Sequence, residues 1–225
     1  ALERAAADGA RAIKWLPAAQ GMNPASPLCD RFFEALAKLG LPLISHAGEE
    51  RAVHGGNTQQ FGNPLLLRRA PDHGVRAVVA HCASMGQDRD LDRGENGPYV
   101  DSFALFARLM DDPVYGPKLN GDISAMTQLN RAGPVLEAVL AREDWHARLH
   151  NGSDYPLPGV MPLFSVTYMV QLGLIPETAV PVLTEIRKHN PLLFDFVLKR
   201  HLSFKGKRFA KSVFETRRFF EKKSA

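Results

Sequence analysis

The sequence predicts an α/β fold of the (β/α)8, or TIM-barrel, type, in which parallel strands alternate with helices. Five polar residues end apolar, strand-like runs at nearly even intervals of 32, 35, 41 and 32 residues: Lys14, His46, His81, Asp122 and Asp154. Each interval accommodates one strand and one crossover helix, which together need roughly 30 residues. Because the carboxyl ends of barrel strands meet at one rim, these side chains are predicted to converge.

Each predicted strand is a short apolar run that precedes a turn or a proline. The run 75–81 is nearly continuous in small and β-branched residues, which is typical of a parallel strand buried on both faces. A closed barrel has eight strands, so we expect the first three to be missing from this chain. The five predicted strands cover residues 11–16, 41–46, 75–81, 119–124 and 148–153.

Proline and N-cap signals predict the helices. Ser26-Pro27 begins a helix that Gly40 ends, and Asn63-Pro64 begins a shorter one. Residues 1–203 are predicted to form one partial barrel domain, on which a basic amphipathic helix, residues 204–225, is expected to pack. The remaining predicted helices cover roughly 100–110, 133–142, 161–172, 177–188 and 191–202.

The composition excludes several classes of protein. A chain of 225 residues that is 45% hydrophobic and 23% charged is typical of one folded domain, and it has no apolar run long enough to span a membrane. Two cysteines without a Cys-x-x-Cys pair indicate no disulfide framework, so a cytoplasmic location is expected.

The positive charge comes from the C-terminal segment. From Lys199 onward, ten Lys and Arg residues oppose two Glu, a net charge of +8 in a chain whose total is +4. Interleaved phenylalanines would suit an RNA- or lipid-binding helix, but a helix packed on the barrel is favoured. The expected partner is therefore a small-molecule substrate, with a homo-oligomer left open and with neither nucleic acid nor a membrane expected.

Two histidines end neighbouring predicted strands, His46 in Leu-Pro-Leu-Ile-Ser-His and His81 in Val-Arg-Ala-Val-Val-Ala-His. A neutral imidazole is a common ligand of divalent transition metals. Neighbouring parallel strands lie about 4.8 Å apart, so two such ligands can share one ion. One histidine at a strand end would more often make only a hydrogen bond, and the repetition favours a metal site.

Asp154 and Lys14 complete the predicted site. The Asp154 carboxylate could bind a divalent ion and take a proton from water that the ion activates, although alone it would suit a turn or a helix cap. Lys14 either extends its ammonium to the rim or is neutralised at the site. The predicted ligands of a divalent metal, with zinc expected, are thus Lys14, His46, His81 and Asp154, of which His81 and Asp154 are also predicted to be catalytic.

Other polar residues are weaker candidates. Asp122 also suits an ordinary strand end, and Cys82 is predicted to point away from His81, so a Cys–His pair is not expected. Three residues of the loop after His46 could touch substrate, although a solvated loop is the commoner case: Glu49, Glu50 and His54.

Four segments resemble the amidohydrolase superfamily, specifically the amidohydrolase-2 group of metal-dependent TIM-barrel hydrolases and decarboxylases. The resemblance covers roughly residues 9–200 and is carried by Ile-Lys-Trp-Leu-Pro, Ile-Ser-His-Ala-Gly-Glu-Glu, Val-Val-Ala-His-Cys-Ala-Ser and Asn-Gly-Ser-Asp-Tyr-Pro. It implies that the five strands are the fourth to eighth of the barrel.

By this resemblance His46 and His81 would be metal-site histidines of the fifth and sixth strands, and Asp154 the carboxylate of the eighth. Lys14 would stand where some members carry a carbamylated lysine that bridges two metals. The family's first strand supplies a His-x-His pair, which none of the eight histidines forms here. This departure predicts a chain truncated at its N-terminus.

The predicted function is a metal-dependent hydrolase that acts through metal-activated water on a small amide, lactone or ester. A metal-dependent decarboxylase of the same group is the alternative, since the same ligands suit both reactions. A non-catalytic remnant whose basic tail binds an anionic partner is the third interpretation.

Overall fold

The computed structural model describes residues 1–51 and 57–221. These form two compact units. The first consists of Ala1–Asp122 and the segment that begins at Arg217, and the second consists of Ile123–Thr216. A strand is present in each of the five predicted regions, and helices lie between them, which confirms the α/β class and the (β/α)8 type of alternation with five of its eight units. The described residues include no helix that is long and apolar enough to cross a bilayer.

The described strands are Ile13–Trp15 (β1), Leu43–His46 (β2), Ala77–Ala80 (β3), Gln87–Arg89 (β4), Tyr99–Asp101 (β5), Leu119–Asp122 (β6) and Leu149–His150 (β7). The first unit is built on four parallel strands in the order β1-β2-β3-β6. An antiparallel hairpin, β4-β5, lies in the same unit, in a stretch for which no strand was predicted. The fifth predicted strand, β7, belongs to the second unit and is only two residues long.

Helices are present at each position predicted between residues 26 and 202, with shifts of a few residues at their ends, and the short helix Pro17–Gln20 was not predicted. In chain order they are Leu2–Ala7 (α1), Pro17–Gln20 (α2), Asp30–Leu39 (α3), Arg69–Asp72 (α4), Ser102–Asp111 (α5), Pro134–Ala141 (α6), Val166–Gln171 (α7), Val180–His189 (α8), Pro191–His201 (α9) and Arg217–Phe220 (α10). Helix α7 begins five residues later than predicted, because the Ser165 hydroxyl accepts a hydrogen bond from the Tyr168 N–H and caps the helix there.

The apolar face of α3 fixes the core of the first unit. Phe33 and Leu36, one turn apart, are fully buried, and Trp15 of β1 and Leu43 of β2 belong to the same cluster. Gly40 ends the helix in the left-handed conformation, as the sequence predicts. Strand β3 is buried at all four residues, which agrees with its nearly continuous apolar sequence.

The C-terminal segment differs from the prediction of one amphipathic helix over residues 204–225. In its described part it contains a short 3-10 helix, Lys211–Phe214, and then α10. Lys205 and Gly206 adopt left-handed backbone angles at a tight turn, and this interrupts any helix there. The rings of Phe209 and Phe214 still contact each other, so the phenylalanines pack without a helix to carry them.

Candidate functional site

His46 and His81 lie side by side in the first unit. His46 is the last residue of β2, and His81 directly follows the neighbouring strand β3. Their ring centroids are 5.3 Å apart, and the two residues are only 4% and 3% exposed. The structure therefore brings together the two histidines that the sequence paired.

This spacing fits two ligands of one ion. A zinc ion held about 2.0–2.1 Å from an imidazole nitrogen lies about 3.2 Å from the ring centroid, and two such rings at a tetrahedral angle have centroids about 5.2 Å apart. A catalytic site of this kind uses three protein ligands, so the pair accounts for two of them. Within residues 1–51 and 57–221, no group of three or more His, Cys, Asp and Glu side chains is arranged to hold a metal ion.

The loop after β2 holds the ring of His46. Its Nδ1 lies 3.4 Å from the buried carboxylate of Glu50, and its Nε2 lies 3.3 Å from the backbone oxygen of Glu49. The side chain of Gln59 accepts from the Glu50 N–H and donates to the Glu50 C=O, which fixes the backbone of that residue. Glu50 is thus a buried partner of His46, whereas the sequence favoured a solvated loop residue.

His81 stands on a strained turn. Strand β3 ends one residue earlier than predicted, and His81, Cys82 and Ala83 have φ angles of 55°, 50° and 48°. The left-handed region costs an L-residue about 1–2 kcal/mol, so three in succession require support from their surroundings. The carboxylate of Asp122 accepts from the His81 N–H at 2.9 Å, and the Asp122 C=O accepts from Cys82 Sγ at 3.1 Å.

Asp122 is therefore a stronger candidate for the site than its sequence context indicates, because it ends β6 and also holds the turn that carries His81. Its carboxylate oxygen lies 3.8 Å from Nδ1 of that ring. Cys82 is fully buried, and burial, followed by the charge of Asp122, raises the pKa of its thiol well above the usual value. A thiol kept protonated in this way is a poor nucleophile.

Lys14 shares a sheet face with His46. In the register of β1 and β2 it pairs with Ile44, two residues before His46 on the same side of the strand. Its side chain is exposed, so it avoids the cost of a buried cation. Within the described part of the chain it makes no hydrogen bond or ion pair.

Asp154 lies in the second unit, four residues after β7. It is partly buried and has a φ angle of 54°, a conformation that Asp tolerates better than most residues. Its backbone C=O accepts from the Leu157 N–H, and the Ser153 hydroxyl accepts from the Tyr155 N–H. His54, the remaining candidate, falls outside the described residues.

A cavity of about 700 Å³ adjoins the loop that contacts His46. The cavity is lined by Glu49, whose backbone oxygen faces the His46 ring, and by Gln60, Phe61, Asp88 and Tyr99. Burial raises the pKa of Asp88, although the Ser102 hydroxyl donates a hydrogen bond to its carboxylate and opposes the shift. The volume is within the range that small-molecule ligands occupy.

Comparison with known proteins gives one family and several solved structures. A family model described as Amidohydrolase matches residues 1–165. No protein in the curated set matches significantly.

Three solved structures illustrate the structural resemblance. The first, from Pseudomonas putida, is a protein to which 2-pyrone-4,6-dicarboxylic acid hydrolase activity has been ascribed; it is 19% identical, with a TM-score of 0.45 over 91% of this chain and 64% of its own. An uncharacterised TIM-barrel protein from Bordetella bronchiseptica is 16% identical, with a TM-score of 0.49 over 87% and 61%. The IDCase of Metarhizium anisopliae in its apo form is 17% identical, with a TM-score of 0.44 over 99% and 60%.

The chain thus spans less than two thirds of the length of each of these structures. At such identities and TM-scores the resemblance identifies no function.

Proposed function

Because the chain belongs to the amidohydrolase family, we propose that the protein is a metal-dependent hydrolase that acts on a small amide, lactone or ester. The observation that carries the proposal is the buried pair of imidazoles at neighbouring strand ends, 5.3 Å apart. His46 and His81 would hold a divalent ion, with zinc as the expected metal. The ion would polarise the scissile carbonyl and lower the pKa of water.

The residues around this pair have separate tasks in the proposal. Glu50 holds the His46 ring, because its carboxylate lies 3.4 Å from Nδ1. The nitrogen left to bind the ion would be Nε2, which would have to turn to it from the Glu49 backbone oxygen, 3.3 Å away. Asp122 holds the turn that carries His81. His81 would either bind a second ion or polarise the scissile carbonyl of the substrate, and the cavity beside Glu49, which neither histidine lines, offers space for that substrate.

Asp154 is proposed as a further ligand and as the acceptor of a proton from the attacking water. This role follows from the sequence resemblance and from the position of Asp154 as a partly exposed residue. Lys14 is proposed as a metal-site residue on the ground that it shares a face of the sheet with His46.

Metal content tests the proposal directly. In the full-length protein, His46→Ala, His81→Ala and Asp154→Ala are expected to lower the bound metal and to reduce hydrolysis of a panel of lactones, esters and amides at least 100-fold. Removing the metal with a chelator should do the same to the unaltered protein. His189→Ala is the control, because that histidine is exposed on α8 and pairs with Glu185 of the same helix.

Undiminished metal in both His46→Ala and Asp154→Ala would refute the enzyme interpretation. Release of carbon dioxide from a carboxylic acid, without hydrolysis of any ester, lactone or amide, would instead favour the decarboxylase.

A further inference from the structure

The second unit contains a buried ion pair that neither the family match nor the proposed mechanism explains. The ammonium of Lys199 donates to the Asp195 carboxylate at 2.7 Å, one turn earlier on α9, and both side chains are only 1% exposed. Charged groups are almost never buried to this extent unless they are paired. Because the two residues are four apart on the same helix, their ion pair does not connect distant parts of the fold.

The ammonium makes a second contact that does join distant elements. Lys199 Nζ donates to the backbone C=O of Gly152 at 2.6 Å, two residues before Asp154. Neighbouring backbone groups are also fixed: the Ile123 N–H donates to the His150 C=O, and the Asn151 N–H donates to the Val213 C=O. The backbone is therefore held at residues 150, 151 and 152, just before Asp154.

A second cation holds the chain after Asp154. Arg187 of α8 donates to the backbone oxygens of Pro158, Val160 and Phe164, and its guanidinium stacks on the ring of Phe164. Asp154 thus lies on a segment, residues 152–164, that is fixed by one cation at its beginning and by another over its second half. The acid itself is left partly exposed.

We infer that Lys199, held in place by Asp195, is a positioning residue that fixes the backbone orientation of Asp154 through Gly152. The inference rests on the proposed role of Asp154. A buried ion pair is a poor source of net stability, because apolar residues of similar volume often replace it without loss. A pair retained at 1% exposure is better explained by the placement of a group that must be held to within a fraction of an ångström.

The test separates positioning from folding. Lys199→Met alone would leave the Asp195 charge buried without its partner and would destabilise the unit. The decisive variant is Asp195→Leu/Lys199→Met in the full-length protein, which removes both charges together with the Gly152 contact. The matched control is Glu185→Leu/Lys188→Met, which removes an exposed ion pair of α8 in the same unit. Asp154→Asn serves as the reference for loss of the carboxylate.

Cobalt(II) is the probe, because its visible absorption reports the ligands around the ion independently of turnover. The double variant at 195 and 199 is expected to keep the melting temperature of the unaltered protein, to lose about 10- to 100-fold in kcat with little change in KM, and to show an altered cobalt spectrum. The control variant should match the unaltered protein in all three measurements.

Two results would overturn the inference, and they differ. If Asp154→Asn loses activity and changes the cobalt spectrum while the 195/199 double variant changes neither, the proposed function stands and the positioning role of Lys199 falls. If Asp154→Asn itself changes neither, the proposed role of Asp154 is wrong and the inference falls with it.

Discussion

Gly48 is the residue that lets the loop after β2 lie against the turn that follows His81. Its φ angle is +81°, and a Cβ atom at this position would come within 2.4 Å of the backbone oxygen of Met85. The backbone N–H of the next residue, Glu49, donates to that same oxygen. The absence of a side chain at Gly48 therefore brings the backbone of the Glu49–Glu50 segment up to the histidine pair.

Gly48→Ala is predicted to destabilise the protein more than Gly74→Ala. Both glycines have positive φ angles, +81° and +78°, but nothing lies within 4 Å of a Cβ at Gly74. Gly74→Ala should cost about 1 kcal/mol from backbone strain alone. Gly48→Ala should cost about 3 kcal/mol, because the Cβ must also displace the Met85 carbonyl. Urea unfolding measures both values, and equal losses would mean that the close approach is unimportant.

The hairpin β4-β5 is fixed to its neighbours by a network of charges. Asp90, which is 2% exposed, accepts from both terminal nitrogens of Arg108 on α5, at 2.6 and 2.8 Å. Asp92 accepts from Arg108 at 2.7 Å and also from Arg68. Hydrogen bonds from Arg68, and then from Arg108, hold the pKa of Asp92 at about 2. The network joins the hairpin, α5 and the 3-10 helix Pro64–Arg68 in the unit that contains the histidine pair.

Acid is predicted to weaken this network. The pKa of Asp92 in the folded protein, about 2, is below its ordinary value of 3.8, so its stabilising effect is complete above the ordinary value and disappears as the pH falls through about 2. Because the carboxylate is about one third exposed, we expect about 1 kcal/mol at neutral pH. Asp92→Asn should lose this amount at pH 7 and should equal the unaltered protein near pH 2.

Urea unfolding between pH 2 and 7 measures that difference. The control is Asp144→Asn, in which a more exposed carboxylate paired with Arg142 is removed. Its effect should be smaller throughout. A difference between Asp92→Asn and the unaltered protein that stays constant with pH would contradict the assignment.

The positive charge of the C-terminal segment is partly offset by acidic residues that lie outside it. The segment from Lys199 onward carries a net charge of +8, but several of its cations are engaged close by. Lys199 is buried, and Arg200 stacks on the ring of Phe214. Further ion pairs join Lys207 to Glu143, Lys211 to Glu215 and Arg217 to Glu221. Because Glu215 and Glu221 are already counted in that net charge, only Asp195 and Glu143 reduce it further, and in the described part of the chain the paired cations interrupt the run of free positive charge.

The protein is accordingly predicted not to retain nucleic acid at physiological salt. A labelled single-stranded RNA and a DNA duplex should both migrate unshifted with the protein at 150 mM salt, because binding that depends on phosphate contacts needs several free cations. Micromolar binding that weakens steeply with salt, and that is unaffected by a chelator, would support the alternative of a non-catalytic, anion-binding remnant.

The strand–helix alternation and the pairing of His46 with His81 could be predicted from the sequence, because both depend on periodicity. A parallel strand ends where its apolar run ends, and the strand ends of this architecture share one edge. The acidic side chains that hold these histidines in place could not be predicted in the same way. Glu50 reads as a loop residue and Asp122 as an ordinary strand end until the folded backbone places one beside the His46 ring and the other beneath the His81 turn.

The sequence by itself determined the α/β class, the approximate positions of its five strands and the neighbouring histidines, since local patterns of apolar and polar residues decide these features. Only the tertiary structure decided that the C-terminal segment is not one helix, that residues 87–101 form a hairpin, and that Lys199 is buried against Asp195 and Gly152. The burial of Lys199, for example, depends on a contact with a residue 47 positions away in the chain. The energies of such contacts are set by burial and hydrogen-bond geometry, which no local pattern records.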